Sequence, residues 1–160
     1  MLNVSVIHTG SFKEKYLEEA FSEYTKRISS LAKFEDICLK EKMLPDNPSE
    51  SEIQKTLEEE GREILSRLDP RAKKIALCVE GKGMSSEELA KVFADAPLEG
   101  YSKIVFIIGS SYGLSDEVKR AADIRLSFSK MTFPHQLMRV ILSEQIYRAL
   151  MINRGSKYHK

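Results

Sequence analysis

Strand-like and helix-like segments alternate along this chain, and that alternation predicts an α/β fold. Ile75–Val79 is a continuous apolar run, as expected for a parallel strand covered on both faces, and Lys103–Ile108 is the most strand-like segment of the chain. The chain has 160 residues, 42% hydrophobic and 31% charged, which suits one globular domain spanning residues 1–160. We therefore predict a mostly parallel sheet of about five strands, with helices on both of its faces.

The N-terminal half contains two strand–helix units. Each expected helix starts at a serine followed three residues later by a glutamate, the spacing of a capping box, and continues with apolar residues at three/four spacing. The expected strands are Leu2–His8 and Phe34–Leu39, and the expected capping boxes are Ser11 with Glu14 and Ser49 with Glu52. Pro70 should end the second helix.

The C-terminal half contains three further units. Its expected strands are Ile75–Val79, Lys103–Ile108 and Ile124–Phe128. Its helices are expected to start at Ser85, where Glu88 completes a third capping box, near Ser115 and at Pro134. Proline suits a first helical turn because its missing N–H has no partner there in any case. The last helix should run to about Asn153, with Gly155 as a stop signal.

Charge is unevenly distributed, although the net charge is only +1. Residues 126–160 contain six basic residues against Glu144 alone, whereas residues 35–63 contain ten acidic and four basic residues. A basic C-terminal face suits a polyanion that is met locally, but it is equally consistent with a solvated helix face.

Several functional classes are not supported by the motifs. The chain lacks GxGxxG, the P-loop pattern, GxSxG and any cluster with metal-ligand spacing, and it has neither a transmembrane run nor a signal segment. Cys38 and Cys78 lie in apolar segments without CxxC spacing. We expect both to be buried, reduced thiols of a cytoplasmic protein.

Two segments that follow strands are candidate ligand loops. Gly109–Gly113 follows the most strand-like run, and in open α/β sheets ligands bind at the carboxyl ends of the strands. Phe128–Phe133 alternates polar and large apolar residues before a helix, and could enclose an adenine. Each segment also has a purely structural interpretation: a tight glycine turn for the first, a stapled and threonine-capped helix start for the second.

The last helix and the tail carry further candidate residues. His135 and Arg139 share one helix face, and Arg148 lies farther along. The apolar surface of this helix could pack on a second copy of the chain or simply on the sheet. Tyr158–Lys160 combines an aromatic ring, an imidazole and a cation, which suits nucleic-acid contacts, although a terminal segment is ordinarily frayed.

Taken together, these segments resemble the ribosomal RNA large subunit methyltransferase H family, whose members are small proteins of the SPOUT class. The motifs that carry the resemblance are Gly109-x-x-x-Gly113-Leu114, the run Leu126–Gln136 continuing to Met138-Arg139, Glu144-Gln145-x-Tyr147-Arg148-Ala149 and Tyr158-His159-Lys160. The similarity extends from end to end of the chain, and the Ser127–Gln136 run is its most specific part.

The resemblance implies a methyltransferase that uses S-adenosylmethionine to modify N3 of a pseudouridine in helix 69 of 23S rRNA, on the assembled ribosome. It also implies a homodimer and a C-terminal trefoil knot, with no metal and no membrane association. The positions that correspond to the family's cofactor-binding residues are Leu77, Gly109, Phe128, Ser129, Lys130, Met131, Thr132 and Phe133.

For catalysis we expect roles for three residues at the C-terminal end. His159 is the candidate proton acceptor, Tyr158 could stack on the flipped base, and Arg148 could stabilise charge on its carbonyl oxygens. The main alternative is a ribosome-associated factor that keeps the fold without catalysis, and a second is an enzyme that uses another nucleotide.

Overall fold

The structure is a computed structural model that describes all of residues 1–160, and it confirms the α/β architecture. Five strands alternate with five helices along the chain. The strands are β1 Asn3–Thr9, β2 Lys33–Leu39, β3 Ala72–Gly83, β4 Lys103–Ile107 and β5 Ile124–Ser127. The helices are α1 Lys15–Ser29, α2 Glu50–Ser66, α3 Ser86–Leu98, α4 Asp116–Ala121 and α5 His135–Asn153.

All five strands form one parallel sheet in the order β2-β1-β4-β3-β5. One face packs against α1, α3 and α5, with residues such as Ile28, Phe93 and Leu142 in the larger apolar cluster. The other face packs against α2 and α4 through Ile64 and Val118. The strongly apolar runs of β3 and β4 supply both clusters, which explains why those strands do not alternate in polarity.

Two of the three predicted capping boxes are present, and one prediction was wrong. Ser49 and Ser85 each accept a hydrogen bond from the backbone of the glutamate three residues later, and that glutamate returns to the serine N–H. In contrast, α1 begins at Lys15 rather than at Ser11, and no side chain caps it. The reason lies in packing: Phe12 packs on Phe21 of α1, with ring centroids 5.3 Å apart, and Glu14, just before the helix, has an extended backbone.

Strand β3 is longer than its apolar run predicts. It continues through the Glu80–Gly83 segment and pairs with β5 on both sides of an irregularity, since Leu77 and Lys82 both face Leu126. A glycine-rich tetrapeptide resembles a turn in sequence, but here it forms a bulge in the ladder. The bulge lies towards the carboxyl end of β3, beside β5.

Four smaller findings complete the fold. No helix is long and apolar enough to cross a membrane. No group of three or more His, Cys, Asp or Glu side chains is placed to hold a metal ion. Both cysteines are free, but the expectation that both are buried was wrong, because Cys38 is exposed on β2 at the edge of the sheet and Cys78 is only partly buried.

Candidate active site

A cavity of about 640 Å³ opens at the carboxyl ends of β3, β4 and β5. Its walls come from the distal part of β3, from the loop after β4, from the segment between β5 and α5, and from the first turn of α5. The two loops that the sequence singles out therefore meet at one place. This is the position at which parallel α/β sheets bind small ligands.

The loop after β4 requires glycine at both of its ends. Gly113 has φ of +91°, a conformation that other residues rarely adopt, and its N–H donates to the Ser110 carbonyl at 2.9 Å. A Cβ on Gly109 would stand 2.2 Å from the Gly113 carbonyl oxygen. The turn therefore folds back on itself so tightly that only bare backbone fits at position 109.

The segment between β5 and α5 is held by short-range hydrogen bonds. The Ser127 hydroxyl donates to the Ser129 carbonyl at 3.0 Å, and the Ser129 hydroxyl accepts from the Met131 N–H at 3.0 Å. Met131 is 75% exposed at the mouth of the cavity. No threonine caps α5, which begins directly after Pro134, so the threonine cap of the structural interpretation is absent.

Seven of the eight positions expected to bind the cofactor line the cavity. Lys130 lies outside it, although both of its neighbours contribute to the wall. The seven are Leu77, Gly109, Phe128, Ser129, Met131, Thr132 and Phe133.

Two polar side chains in the cavity, Glu80 and Lys119, were not predicted as site residues, and a third, His135, was a candidate without an assigned role. Lys119 Nζ lies 2.5 Å from Glu80 Oε1, and this contact holds the pKa of Glu80 below its usual range. Burial, followed by the positive charge of Arg139, lowers the pKa of His135, so that its imidazole is neutral at neutral pH. Glu80 directly follows the apolar run of β3, which is the one sequence signal that could have identified it.

Arg139 corrects the expectation of a basic face on α5. Its side chain is 1% exposed, and its Nη2 donates to the Thr9 carbonyl at 2.8 Å. Its guanidinium also lies 4.9 Å from the centre of the Phe12 ring. Arg139 is thus a buried residue that joins α5 to β1, and only the other basic residues of this region can meet a partner.

The three predicted catalytic residues form a second cluster, centred on Glu144. Arg148 donates to Glu144 Oε1 from Nη2 at 2.7 Å and from Nε at 3.1 Å, and the Tyr158 hydroxyl donates to the same oxygen at 3.1 Å. Arg148 Nη1 lies 3.1 Å from His159 Nδ1. The tail is therefore docked on α5, and Glu144 is the acceptor that the sequence prediction missed.

Aromatic contacts also hold the tail. The Tyr158 ring meets Tyr147 edge-on at 4.9 Å, and the Arg148 guanidinium lies 4.8 Å from the Tyr158 ring centre. Burial, followed by the hydrogen bond to Glu144, raises the pKa of Tyr158. The phenol therefore stays protonated at neutral pH and is a stacking surface and hydrogen-bond donor, not a base.

None of these three residues lines the cavity of its own chain. Tyr158, His159 and Arg148 lie together in one place. Seven of the expected cofactor positions lie together in another. A reaction that needs both sets requires either movement of the tail or a second chain.

The cavity fits the S-adenosylmethionine that the resemblance implies. Its volume lies within the range that encloses a ligand of this size, and apolar side chains such as Leu77 and Phe133 could cover an adenine. Glu80 and Lys119 place one negative and one positive group in the wall, which could meet the ammonium and carboxylate of the methionine part. The residues present are consistent with this group.

Comparisons with known proteins agree on the family. A family model described as "Predicted SPOUT methyltransferase" matches residues 2–159. Proteins named ribosomal RNA large subunit methyltransferase H are similar over 99% of this chain and 100% of their own: 50% identical in Clostridioides difficile, 51% in Streptococcus thermophilus and 47% in an Exiguobacterium species.

A solved structure gives the same fold. The Legionella pneumophila protein Lpg2936, determined with bound SAM, superposes with a TM-score of 0.50 at 11% identity, over 95% of this chain and 66% of that one. At this identity the likeness concerns the fold alone. The full-length family match and the relatives at about 50% identity decide the rest: this chain belongs to the SPOUT methyltransferases, in the ribosomal RNA large subunit methyltransferase H family, and is an S-adenosylmethionine-dependent methyltransferase.

Proposed function

We propose that this enzyme methylates N3 of a pseudouridine in helix 69 of 23S rRNA, that it acts as a homodimer, and that it works in the cytoplasm on the assembled ribosome. The observation that carries the proposal is the pairing of a cofactor-sized cavity with a separate cluster of Arg148, Tyr158 and His159. The names of the relatives, which specify large-subunit rRNA, support the substrate.

Each residue of the cluster has a task in this reaction. When bound, S-adenosylmethionine supplies an electrophilic methyl group on a positively charged sulfur, which departs as a neutral thioether. His159 accepts the proton of N3, which leaves the electron pair of the broken N–H bond on N3 for the new bond to carbon. Arg148 donates hydrogen bonds to the carbonyl oxygens that gain negative charge, and Tyr158 stacks on the base.

The separation of the two groups of residues supports the proposed homodimer. The cluster is docked on its own chain, outside the cavity of that chain. A two-fold axis that set one tail beside the partner cavity would complete two sites at once, each shared between subunits. The part-exposed apolar side chains of α5, such as Leu137 and Ile141, suit such a contact.

The target surface is expected to be preformed. The exposed basic residues of the C-terminal region are few: Lys130, Arg154, Lys157 and Lys160. A small basic surface binds an RNA fold of fixed shape better than a free strand, because fewer contacts are then needed to order it. This favours the assembled ribosome over free rRNA.

The chain is also proposed to carry the trefoil knot that the resemblance implies. Its support is that α5 lies between α1 and α3 after a segment, residues 128–134, that borders the loop following β4. Joining the two termini covalently and then denaturing the circle tests this. A knotted circle stays more compact in denaturant than an unknotted circle of equal length.

Removal of Tyr158–Lys160 tests whether the tail serves methyl transfer while the cavity alone binds the cofactor. Cofactor affinity, measured by calorimetry, should stay unchanged because the cavity contains none of these residues. Methyl transfer to ribosomes, measured by nucleoside mass spectrometry with a labelled methyl donor, should fall by at least about a thousandfold. Near-normal turnover by the shortened protein would exclude a catalytic tail, and no response to S-adenosylmethionine would favour a non-catalytic factor. An NAD titration should show no binding.

A complementation experiment tests the shared site. One chain lacks the tail, the other carries Gly109→Ala and so loses its cavity, and each homodimer should be inactive. Co-expressed together, they form mixed dimers with one complete site, and activity should return to roughly a quarter of the wild-type level. Mixtures as inactive as the separate variants would show that each chain uses its own tail.

A further inference from the structure

One side chain of α3 contacts the tail, and this side chain belongs neither to the cavity lining nor to the cluster centred on Glu144. Glu87, in the first turn of α3, places Oε1 2.7 Å from Nε2 of His159. The other ring nitrogen, Nδ1, lies 3.1 Å from Nη1 of Arg148. Both nitrogens of the proposed base are therefore engaged by side chains from two different helices.

These two partners determine which ring nitrogen carries the proton. A guanidinium nitrogen can only donate, so Nδ1 of His159 must accept the hydrogen bond from Arg148 and is unprotonated. A carboxylate can only accept, so Nε2 carries the hydrogen and donates it to Glu87. The neutral imidazole is thus held as the Nε2–H tautomer, with Nδ1 as its basic nitrogen.

Glu87 is well placed to stay ionised in this role. The hydrogen bond from His159 holds the pKa of Glu87 below its usual range, and a carboxylate is favoured in the first turn of a helix. The position of α3 relative to α5 is maintained by two hydrogen bonds, from the Ser86 hydroxyl to Gln145 at 2.7 Å and from Asn153 to the Ala90 carbonyl at 2.9 Å. The carboxylate is therefore presented from a firmly attached helix.

We propose that Glu87 is a positioning residue for the proton acceptor: it fixes the Nε2–H tautomer of His159 and stabilises the imidazolium that forms when Nδ1 takes the N3 proton. This inference rests on the proposed function of His159. In the docked tail, Nδ1 is covered by Arg148, and it becomes available once Arg148 donates instead to the carbonyl oxygens of the target base. A carboxylate behind a histidine orients and stabilises it in the same way in hydrolase triads.

Other charged side chains lie on the elements around His159. Arg148 and Glu144 lie on α5, Glu87 lies on α3, and Lys157 and Lys160 lie within the tail itself. Glu87 is the one carboxylate that touches the imidazole directly. Its neutralisation therefore removes the anion nearest to the imidazolium that forms during the reaction.

The tautomer is tested first, without RNA. In protein labelled with ¹⁵N at histidine, long-range proton–nitrogen spectra distinguish a protonated Nε2 from a protonated Nδ1. The wild-type protein should show His159 with Nε2 protonated at a pH where the ring is neutral. Glu87→Ala should give a mixture of both tautomers, whereas Glu87→Gln should largely keep the wild-type pattern, since its amide oxygen can still accept. A wild-type His159 with Nδ1 protonated would overturn the proposal.

Kinetics with ribosomes that lack the modification form the second test. Glu87→Ala should lower kcat by at least about tenfold, with KM for ribosomes and cofactor affinity changed by less than about twofold. Glu87→Gln should lower kcat less, because its amide oxygen can still accept the hydrogen bond from Nε2. A kcat of Glu87→Ala within about twofold of wild type would overturn the proposal.

Glu117→Gln is the matched control. Glu117 is exposed and is the second residue of α4, whose N-cap is Ser115, just as Glu87 is the second residue of α3, whose N-cap is Ser85. An equal loss of kcat in this control would assign the effect to helix stability and overturn the proposal. If the wild-type enzyme itself fails to methylate pseudouridine, the proposed function fails, whereas the tautomer spectra still decide whether Glu87 orients His159.

Discussion

Gly81 in β3 and Arg125 in β5 approach more closely than a side chain at position 81 would permit. A Cβ added to Gly81 would stand 2.6 Å from the Arg125 carbonyl oxygen and 2.8 Å from its carbonyl carbon. The contact lies in the irregular part of the β3–β5 ladder, beside the cavity. The bulge beside the site thus depends on backbone packed directly against backbone.

Gly81→Ala should therefore destabilise the fold. The atoms that meet the new Cβ belong to the backbone of a paired strand, so they cannot rotate away, and the free energy of unfolding should fall by about 2 kcal/mol or more. Urea denaturation followed by circular dichroism measures this. Gly83→Ala is the control: a Cβ there meets nothing within 4 Å, and its stability should equal or slightly exceed wild type. Equal stability of the two variants would contradict the close approach.

Gly109→Ala should weaken cofactor binding. The added Cβ would lie 2.2 Å from the Gly113 carbonyl oxygen, so the loop that forms one cavity wall must open. We expect calorimetry to show at least about tenfold weaker binding of S-adenosylmethionine. Met131→Ala serves as a second variant, because this side chain lines the cavity but is mostly exposed, so its truncation should weaken binding without lowering Tm. Wild-type affinity in both variants would place the cofactor elsewhere.

Glu144→Gln should lower the pKa of Tyr158. Burial and the hydrogen bond to the Glu144 carboxylate both raise that pKa, and the substitution removes the charge while leaving the burial. The titration of ¹³Cζ-labelled tyrosine by NMR should show the Tyr158 midpoint moving part of the way towards that of an ordinary tyrosine. Glu23→Gln, which breaks a similar pair with Arg27 on α1, should leave Tyr158 nearly unchanged. An unchanged midpoint in Glu144→Gln would show that the tail is not docked on this carboxylate.

Glu60→Gln should stabilise the protein at neutral pH. Burial, reinforced by Glu41, raises the pKa of Glu60 above the ordinary value of 4.5, so the folded state holds this proton more tightly than the unfolded state. The stability from the protonated group is present at low pH and is lost as the pH rises through the folded pKa, after which a buried charge remains.

The gain from Glu60→Gln should be about 1 kcal/mol near pH 8 and should shrink as the pH falls towards 4.5. Urea denaturation of wild type and variant at each pH measures the difference. Glu59→Gln, a less buried neighbour on α2, should show little gain. A difference that grows as the pH falls would contradict the sign of this shift.

Much of the site could be predicted because its determinants are local. Bare backbone at Gly109 and the apolar side chains of residues 128–133 follow strands directly, and parallel strands bring their carboxyl ends to one edge whatever the details of packing. The helix starts at Ser49 and Ser85 could likewise be predicted from the capping-box spacing, a serine followed three residues later by a glutamate. The start at Ser11 failed because a distant contact, between Phe12 and Phe21, outweighed the local pattern.

The charged side chains that pair with each other at and near the site could not be predicted from local sequence patterns. Glu87 and His159 are 72 residues apart, and Glu80 reaches Lys119 from another element, so no spacing rule connects them. Glu144 and Arg148 have ordinary helix spacing, which on a surface would indicate only a weak ion pair. Only the docking of the tail turns that pair into a centre that also holds Tyr158 and His159.

The sequence by itself determined the α/β class, the parallel sheet, the loops that enclose the cavity and, through resemblance, the family. The tertiary structure decided that Arg139 is buried, that β3 extends through a bulge, and that the catalytic candidates gather away from the cavity of their own chain. The physical reason is the sequence separation over which the different interactions act. Backbone conformation and apolar periodicity are set by neighbours in the chain, whereas hydrogen bonds between charged side chains depend on where separate helices and strands finally pack.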